Sequence, residues 1–311
     1  VRIGIFISDT NGEATSISEL VAAAVWAEAS NLATAWVPHI PWSLDALTSV
    51  TLAGQATSRI ELGTAVVPTY PRHPLALAQQ ALSTQAACGG RLMLGIGPSH
   101  PVVIEKMHGL SYEKPIRHMR EYVEVLDRAF AGPGQVTYQG ETYSVDALLD
   151  VPGSSPVPVM LAALAPLMLQ LAGSRTQGTI TWMGDERAHA EYVVPRINAA
   201  AADAGRPAPR VVAGLPVAVC DDADEGRTRA ARLFAAYEQI PTYRRILDRG
   251  ETRTPAEVSV IGTEEQVAKR LQSYRDAGVT DLAAAVFAVG DDRNASRRRT
   301  RELLASLAPE L

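Results

Sequence analysis

Short unbroken apolar runs alternate along this chain with longer stretches in which apolar positions recur every three or four residues. The clearest instance spans residues 60–100. An apolar run at 60–67 ends at Pro68, and after His73-Pro74 a helical segment carries Leu75, Leu77, Ala78, Ala81, Leu82 and Ala86 on one side. Gly89-Gly90 stops that helix, and a second apolar run, 92–97, follows at once. Strand, helix and strand joined this briefly form a βαβ unit, and strands with so few polar residues must be buried on both faces. Ligands of such units gather at the carboxyl ends of the parallel strands. Here those ends are Thr64-Ala65-Val66 and Gly97-Pro98-Ser99.

The same rhythm continues in both directions. Strands are predicted at 2–7, 32–37, 60–67, 92–97, 157–163, 178–182, 211–219 and 281–289, each followed by helical sequence. Asp9–Gly12 reads as a turn, and Ser16 or Ser18 as the cap of the first helix. Asn31 suits the left-handed residue that ends that helix, and Ser43-Leu44-Asp45 starts the second. Further helices are predicted at about 114–131, 166–174 and 185–204, from 223 past Tyr237, and from Thr263 to Gly278, with a terminal one behind the last strand. Residues 136–145 alternate around Gly140 as a small hairpin, and 254–261 reads as a connector. Eight strands in this order give the count of an α/β protein of the (β/α)8 TIM-barrel type, one domain over residues 1–311. Loop insertions at 98–113, 134–156 and 238–260 belong to its C-terminal rim, the last long enough to lie over the mouth as a lid. A doubly wound open sheet is the alternative. It usually carries a glycine-rich turn after strand one, and Ser8-Asp9-Thr10-Asn11-Gly12 is no dinucleotide fingerprint.

Composition narrows the partners. With 47% hydrophobic and 20% charged residues, the 311-residue chain is ordinary for a soluble globular protein. A net charge of −5 argues against a nucleic-acid surface; the basic run 297–301 reads as the solvated face of the terminal helix. Cys88 and Cys220 stand far apart without metal-ligand spacing and are expected as buried free thiols, so no metal is expected. No leader pattern or membrane-length apolar run is evident. The expectation is a cytoplasmic protein with no membrane or nucleic-acid partner.

Several ordered segments resemble the luciferase-like monooxygenase superfamily. They are Ala27-Glu28-Ala29 with Trp36-Val37-Pro38-His39, 60–66 with His73-Pro74, and Gly90-Arg91 through Gly97. Residues 158–163 with Leu171-Ala172-Gly173 and Gly178-Thr179, and Ile261-Gly262-Thr263 with Asp276-Ala277-Gly278, complete the series. The run from Ala162 to Gly173 is similar to the branch that uses the 8-hydroxy-5-deazaflavin coenzyme F420, with FMN as the alternative cofactor.

The resemblance implies a hydride-transferring oxidoreductase of a small organic substrate, expected to reduce a C=C or C=N bond in specialised metabolism, and a homodimer. An FMN-dependent monooxygenase and a non-catalytic flavin-binding barrel are the alternatives. It also implies a cis peptide between Ala65 and Val66 beneath the ring. His39 is expected either as the proton donor, since its ordinary pKa lies near neutrality, or as a residue that bonds the ring or caps the second helix. Thr64, Ala65, Val66, Gly97, Pro98 and Ser99 are expected around the coenzyme. Ala163, Leu164 and Ala165 precede a helix N-terminus suited to phosphate. Trp42, His100 and Trp182 are expected to line the substrate pocket. His73 is expected to build the turn into the third helix, and Arg72 and Arg175 to meet the acidic coenzyme tail. Two departures from the family pattern are Ala165, where glycine is common, and Thr176-Gln177-Gly178, where Ala-Asp-Gly is usual.

Overall fold

The computed structural model describes residues 1–10 and 15–309; Asn11 and Gly12 of the expected turn lie outside the described residues. In chain order the strands are β1 (Arg2–Phe6), β2 (Thr34–Val37), β3 (Glu61–Thr64), β4 (Val67–Pro68), β5 (Leu92–Gly97), β6 (Gly134–Gln139), β7 (Ser144–Leu149), β8 (Val159–Ala162), β9 (Gly178–Trp182), β10 (Arg210–Val219), β11 (Val260–Gly262) and β12 (Asp281–Val286). β1, β2, β3, β5, β8, β9, β10 and β12 pair in parallel in that sequence. β12 then returns to β1 with Arg2 opposite Asp281, which closes the ring. Closure leaves these strands without an edge, so the chain forms the expected (β/α)8 TIM barrel and the open-sheet alternative is excluded.

Because the barrel strands are covered on both faces, their residues divide between two apolar layers. Trp36, Met93, Met160, Ile180, Val212 and Ala283 pack inside the ring, while the other strand faces meet the helices. Trp36 dictates its neighbours. A Cβ on Gly63 would come within 2.2 Å of the indole Cζ3, and one on Gly4 within 2.7 Å of Nε1, so adjacent strands carry glycine where the indole lies.

The helices begin where their capping residues direct. Ser16 accepts from Glu19 N, and the Glu19 carboxylate answers the Ser16 amide, a reciprocal box at the start of α1 (Ile17–Ala29). Asn31, at φ 56°, turns the chain into β2 as its residue type suggests. Asp45 caps α2 (Ala46–Gln55), and His73 Nδ1 accepts from Leu75 N ahead of α3 (Pro74–Ala87), the turn-building role expected of it. α4 (Pro115–Ala129) and α5 (Pro166–Arg175) both start on proline, which needs no amide partner at that position. The hairpin β6–β7 pairs Gly134 through Gln139 with Leu149 through Ser144, longer than the predicted excursion.

Four expectations change in detail. The predicted strand 60–67 breaks after Thr64, where the Ala65–Val66 peptide is cis, and resumes as β4 against β5. The helix expected from 223 past Tyr237 ends at Leu233, where the buried Phe234 leaves helical geometry; a tighter turn follows over Ala235–Gln239. The connector 254–261 contains a helical turn and β11, which pairs on β10 beyond the ring. The last strand stops at Val286, not residue 289. Cys88 and Cys220 are buried free thiols, as expected.

At the amino-terminal end of the barrel, Arg210 reaches across the ring. Its guanidinium donates to both Glu61 oxygens at 2.9 and 3.0 Å and to both Asp281 oxygens at 2.6 and 3.2 Å. Burial disfavours its charge, but the two carboxylates outweigh that and raise its pKa. Removing a partner from such a set strands the others in a poorly solvated place. Arg210→Ala is therefore expected to lose about 3–5 kcal/mol in urea unfolding at pH 7; a loss under about 1 kcal/mol would show the cluster to be decorative. Glu28 makes a second anchor, accepting from the amides of Ser58, Arg59 and Ile60 at 2.6–3.1 Å. Burial alone would raise its pKa; the three amides outweigh it and bring the value from 4.5 to about 2. A depressed carboxylate stabilises the fold above its unfolded pKa and loses that contribution as pH falls through the folded one. Unfolding of Glu28→Ala is thus expected to cost about 1 kcal/mol less than the parent at neutral pH, with the gap closing between pH 4.5 and about 2.

Candidate active site

The carboxyl ends of β2, β3, β5, β8 and β9 lie on one rim, and those of β3, β5 and β8 are the small residues Thr64, Gly97 and Ala162. Thr64 is fully buried; its hydroxyl donates to Gly95 O at 2.8 Å and accepts from Gly95 N at 2.9 Å, stitching β3 to β5 below the surface. A Cβ on Gly95 would lie 1.9 Å from Thr64 O, and one on Gly97 2.9 Å from Ala162 Cβ and 3.0 Å from Val66 Cγ2. Glycine is thus required for the strands to approach at this height. Ala65 and Val66 pack against the layer inside the ring. Ser99 turns through φ 62°, and its carbonyl accepts from Tyr112 OH at 3.2 Å. The result is a shelf of cis Ala65–Val66, Gly97, Pro98 and Ser99 at adjacent strand ends.

His39 stands beside this shelf, two residues beyond β2. Its Nδ1 accepts from Ala46 N, the first amide of α2, at 3.3 Å, and lies 3.6 Å from Asp45 Oδ2. Its Nε2 lies 3.5 Å from Arg72 Nη1, and Arg72 Nη2 meets Asp45 Oδ2 at 2.5 Å. The expected capping of the second helix by His39 is therefore present in part, shared with Asp45. Burial, then the Arg72 charge, lowers the His39 pKa, against the opposing pull of Asp45. Arg72 was expected at the coenzyme tail; its side chain instead closes a triangle with His39 and Asp45. Arg175, expected there too, sits at the far end of α5 and pairs with Glu124 and Asp127. A helix ten residues long separates it from the rim.

The remaining predicted pocket residues divide. The His100 ring packs against Tyr243 with centroids 5.2 Å apart, and burial lowers its pKa. Trp182 lies against Phe6, Phe234 and Tyr237 at 5.8–6.3 Å. Trp42, by contrast, is 68% exposed and stands outside this cluster. Tyr237 and Tyr243 come from the 235–247 segment, which overlaps the insertion expected at 238–260, and set their rings against Trp182 and His100. Asp185, just past β9, fastens the chain after it, accepting from the amides of Glu251 and Thr252 at 2.7 and 2.9 Å. Ala163, Leu164 and Ala165 lead into α5, whose first turn has no side-chain cap. A cavity of about 70 Å³ opens there between Leu164, Ala165, Tyr192, Arg245 and Arg249. Arg249 lies over the Tyr192 ring at 3.8 Å, and Tyr192 OH donates to Leu164 O. The Thr176-Gln177 departure lies at the opposite end of the barrel, where the Thr176 hydroxyl bonds Ala172 O and Gly178 O; it does not touch the rim. Sequence reading passed over Asp45 as a partner of Arg72, and over Tyr237, Tyr243, Arg245 and Arg249. The aromatic and basic residues within 234–249 were the available signal.

This floor of alanine, valine, glycine, proline and serine carries no charged side chain and suits the apolar face of a flat redox ring; its glycines serve the close approach of the strands themselves. The roof is occupied by Tyr237 and Tyr243 over Trp182 and His100. Among the described residues, no group of three or more His, Cys, Asp or Glu side chains is placed to hold a metal ion, and no helix is long and apolar enough to cross a membrane.

Comparison with known proteins agrees with this architecture. A 5,10-methylenetetrahydromethanopterin reductase of Archaeoglobus fulgidus is 28% identical over 304 residues, 87% of this chain and 90% of that protein. An F420-dependent glucose-6-phosphate dehydrogenase of Rhodococcus erythropolis is 29% identical over 298 residues, 88% of this chain and 84% of that protein. A Mycobacterium tuberculosis protein provisionally named a coenzyme F420-dependent oxidoreductase is 33% identical over 174 residues, 52% of this chain. The chain spans about half the length of that relative, 49%. The solved structure of an F420-dependent secondary alcohol dehydrogenase with an F420-acetone adduct superposes with a TM-score of 0.80 at 18% identity, covering 100% of this chain and 98% of the other. That likeness bears on the fold. The description "luciferase-like monooxygenase" belongs to the family whose model matches residues 1–281, and the chain is a member of that family.

Proposed function

We propose that this protein is a coenzyme F420-dependent oxidoreductase that exchanges a hydride with a small organic substrate at the barrel rim. The observation that carries the reading is the placement of His39, just past β2, beside the uncharged shelf of Ala65, Val66, Gly97, Pro98 and Ser99 at the ends of the neighbouring strands. Similarity over 88% of this chain to a dehydrogenase named as F420-dependent supports the choice of cofactor over FMN. Thr64, Ala65, Val66, Gly97, Pro98 and Ser99 would hold the ring. Thr64 acts through the backbone it fixes, because its side chain is spent between strands. Ala163, Leu164 and Ala165 would face the phosphate with the free amides of the α5 start. When bound, the deazaflavin supplies a carbon, C5, that carries the hydride.

The side chains of this protein supply orientation and polarity. Both His39 nitrogens face donors, the Ala46 amide at Nδ1 and Arg72 Nη1 at Nε2, which favours the neutral ring. The N–H groups of the His39–Arg72 pair are available to an oxygen or nitrogen on which negative charge grows as a double bond is reduced. That favours reduction of a C=N bond, or of a C=C bond conjugated to an acceptor atom, in specialised metabolism. His100 and Trp182 border the substrate side, and Tyr237 and Tyr243 exclude water from it once the ring is seated. Following the family resemblance, the protein works in the cytoplasm as a homodimer.

Titrating the purified protein with F420 and, separately, with FMN while following tryptophan fluorescence tests the cofactor. Quenching by F420 alone is expected. Quenching by FMN alone would replace the reading with an oxygen-activating monooxygenase, and quenching by neither would leave a barrel without this chemistry. In the F420-loaded enzyme, His39→Ala is expected to lower kcat about 10²–10⁴-fold while F420 affinity changes little. An unchanged kcat would remove His39 from the reaction.

A further inference from the structure

We propose that Arg72, clamped by Asp45, is a positioning residue that keeps His39 a neutral imidazole. The inference rests on the role just assigned to His39 but concerns a property of the unliganded protein. Three elements meet at the ring. From the turn before α2 come Asp45 and the Ala46 amide; from the turn before α3 comes Arg72; beyond the turn over Val102–Met107 comes His108. The Ala46 amide faces Nδ1 and Arg72 Nη1 faces Nε2, both of them donors, so a ring protonated on both nitrogens would set N–H against N–H at each. The Arg72 guanidinium lies 3.5 Å from Nε2, where it opposes a second positive charge in a setting only 14% exposed at the His39 side chain.

Asp45 is the one group near the ring that favours protonation, and it is already engaged. Its Oδ1 accepts from Thr48 N at 2.9 Å, and its Oδ2 takes Arg72 Nη2 at 2.5 Å, closer than the 3.6 Å to His39 Nδ1. Burial disfavours its charge, but the Thr48 amide and Arg72 prevail and hold its pKa below the usual carboxylate value. Arg72 itself cannot drift, because its carbonyl accepts from the buried Tyr122 hydroxyl at 3.0 Å and its amide donates to Thr69 O at 3.1 Å. The cap of α2 therefore does two things. It starts the helix, and it locates a cation beside Nε2. The chemical consequence is an imidazole disfavoured as its cation, and so unsuited to stoichiometric acid release from an imidazolium.

Nitrogen-15 NMR of histidine-labelled, cofactor-free protein reads this directly. The chain has six histidines, and the His39 signals are identified by their loss in His39→Ala. The parent is expected to titrate with a midpoint below that of an ordinary histidine. Arg72→Gln should raise the midpoint by about one pH unit. Arg72→Lys, which keeps the charge but loses the planar fork, should stay nearer the parent. An unmoved midpoint in a folded Arg72→Gln protein, or a parent midpoint at or above that of an ordinary histidine, would overturn the proposal. If Arg72→Gln does not fold, Arg72→Lys and the parent midpoint decide it alone. These readouts involve neither F420 nor substrate, so they stand even if His39→Ala leaves turnover unchanged.

Discussion

Ring closure is the constraint on which the rest of this molecule depends, and Arg210 is where it is most concentrated. The first strand must find the last, and the guanidinium that bridges β3, β10 and β12 at the barrel's amino-terminal end draws together residues up to 220 positions apart, Glu61 to Asp281. Such a cluster is costly to desolvate and is tolerable only when every charge has a partner in good geometry. Here both carboxylates are engaged in two-point contact. With the lower end fixed, the eight strands run to a common carboxyl-end rim.

The rim is composed in a particular way. Where the strands below are filled by Trp36 and two methionines, the ends above carry glycine, alanine and a cis step. Polar chemistry is confined to one side, at His39, and its character is set by a helix start and a neighbouring cation. The same device recurs in other barrels, where an imidazole held against a helix N-terminus acts as a neutral electrophile. On the opposite side, aromatic rings from the 235–247 segment close the space over Trp182 and His100. Asp185 secures the chain just beyond that segment.

The family relation and the physics agree at the level of fold and part company at the level of detail. Ala165 in place of a usual glycine sits at an exposed helix start, where a methyl group faces the cavity beside Arg249 instead of a neighbouring backbone. The Thr176 departure has a plain structural use, since its hydroxyl satisfies carbonyls at the end of α5 and the start of β9. Neither alters the shelf.

Much of this was legible in the amino-acid order because local rules act over a few residues. Apolar runs and three-to-four-residue periodicity gave the eight strands and the main helices. Ser16, Asn31, Asp45 and His73 marked helix boundaries through hydrogen bonds that span two to four positions. The resemblance located the cis step at Ala65–Val66. Tertiary structure alone decided that Arg72 turns to Asp45 and His39 and not to a coenzyme tail, that Trp42 faces solvent, and that Tyr237 and Tyr243 set their rings against Trp182 and His100. It also decided that Arg210 binds Glu61 and Asp281. These pairings join residues from separate loops and strands, and their geometry follows from where ring closure sets each strand end, which no local pattern encodes.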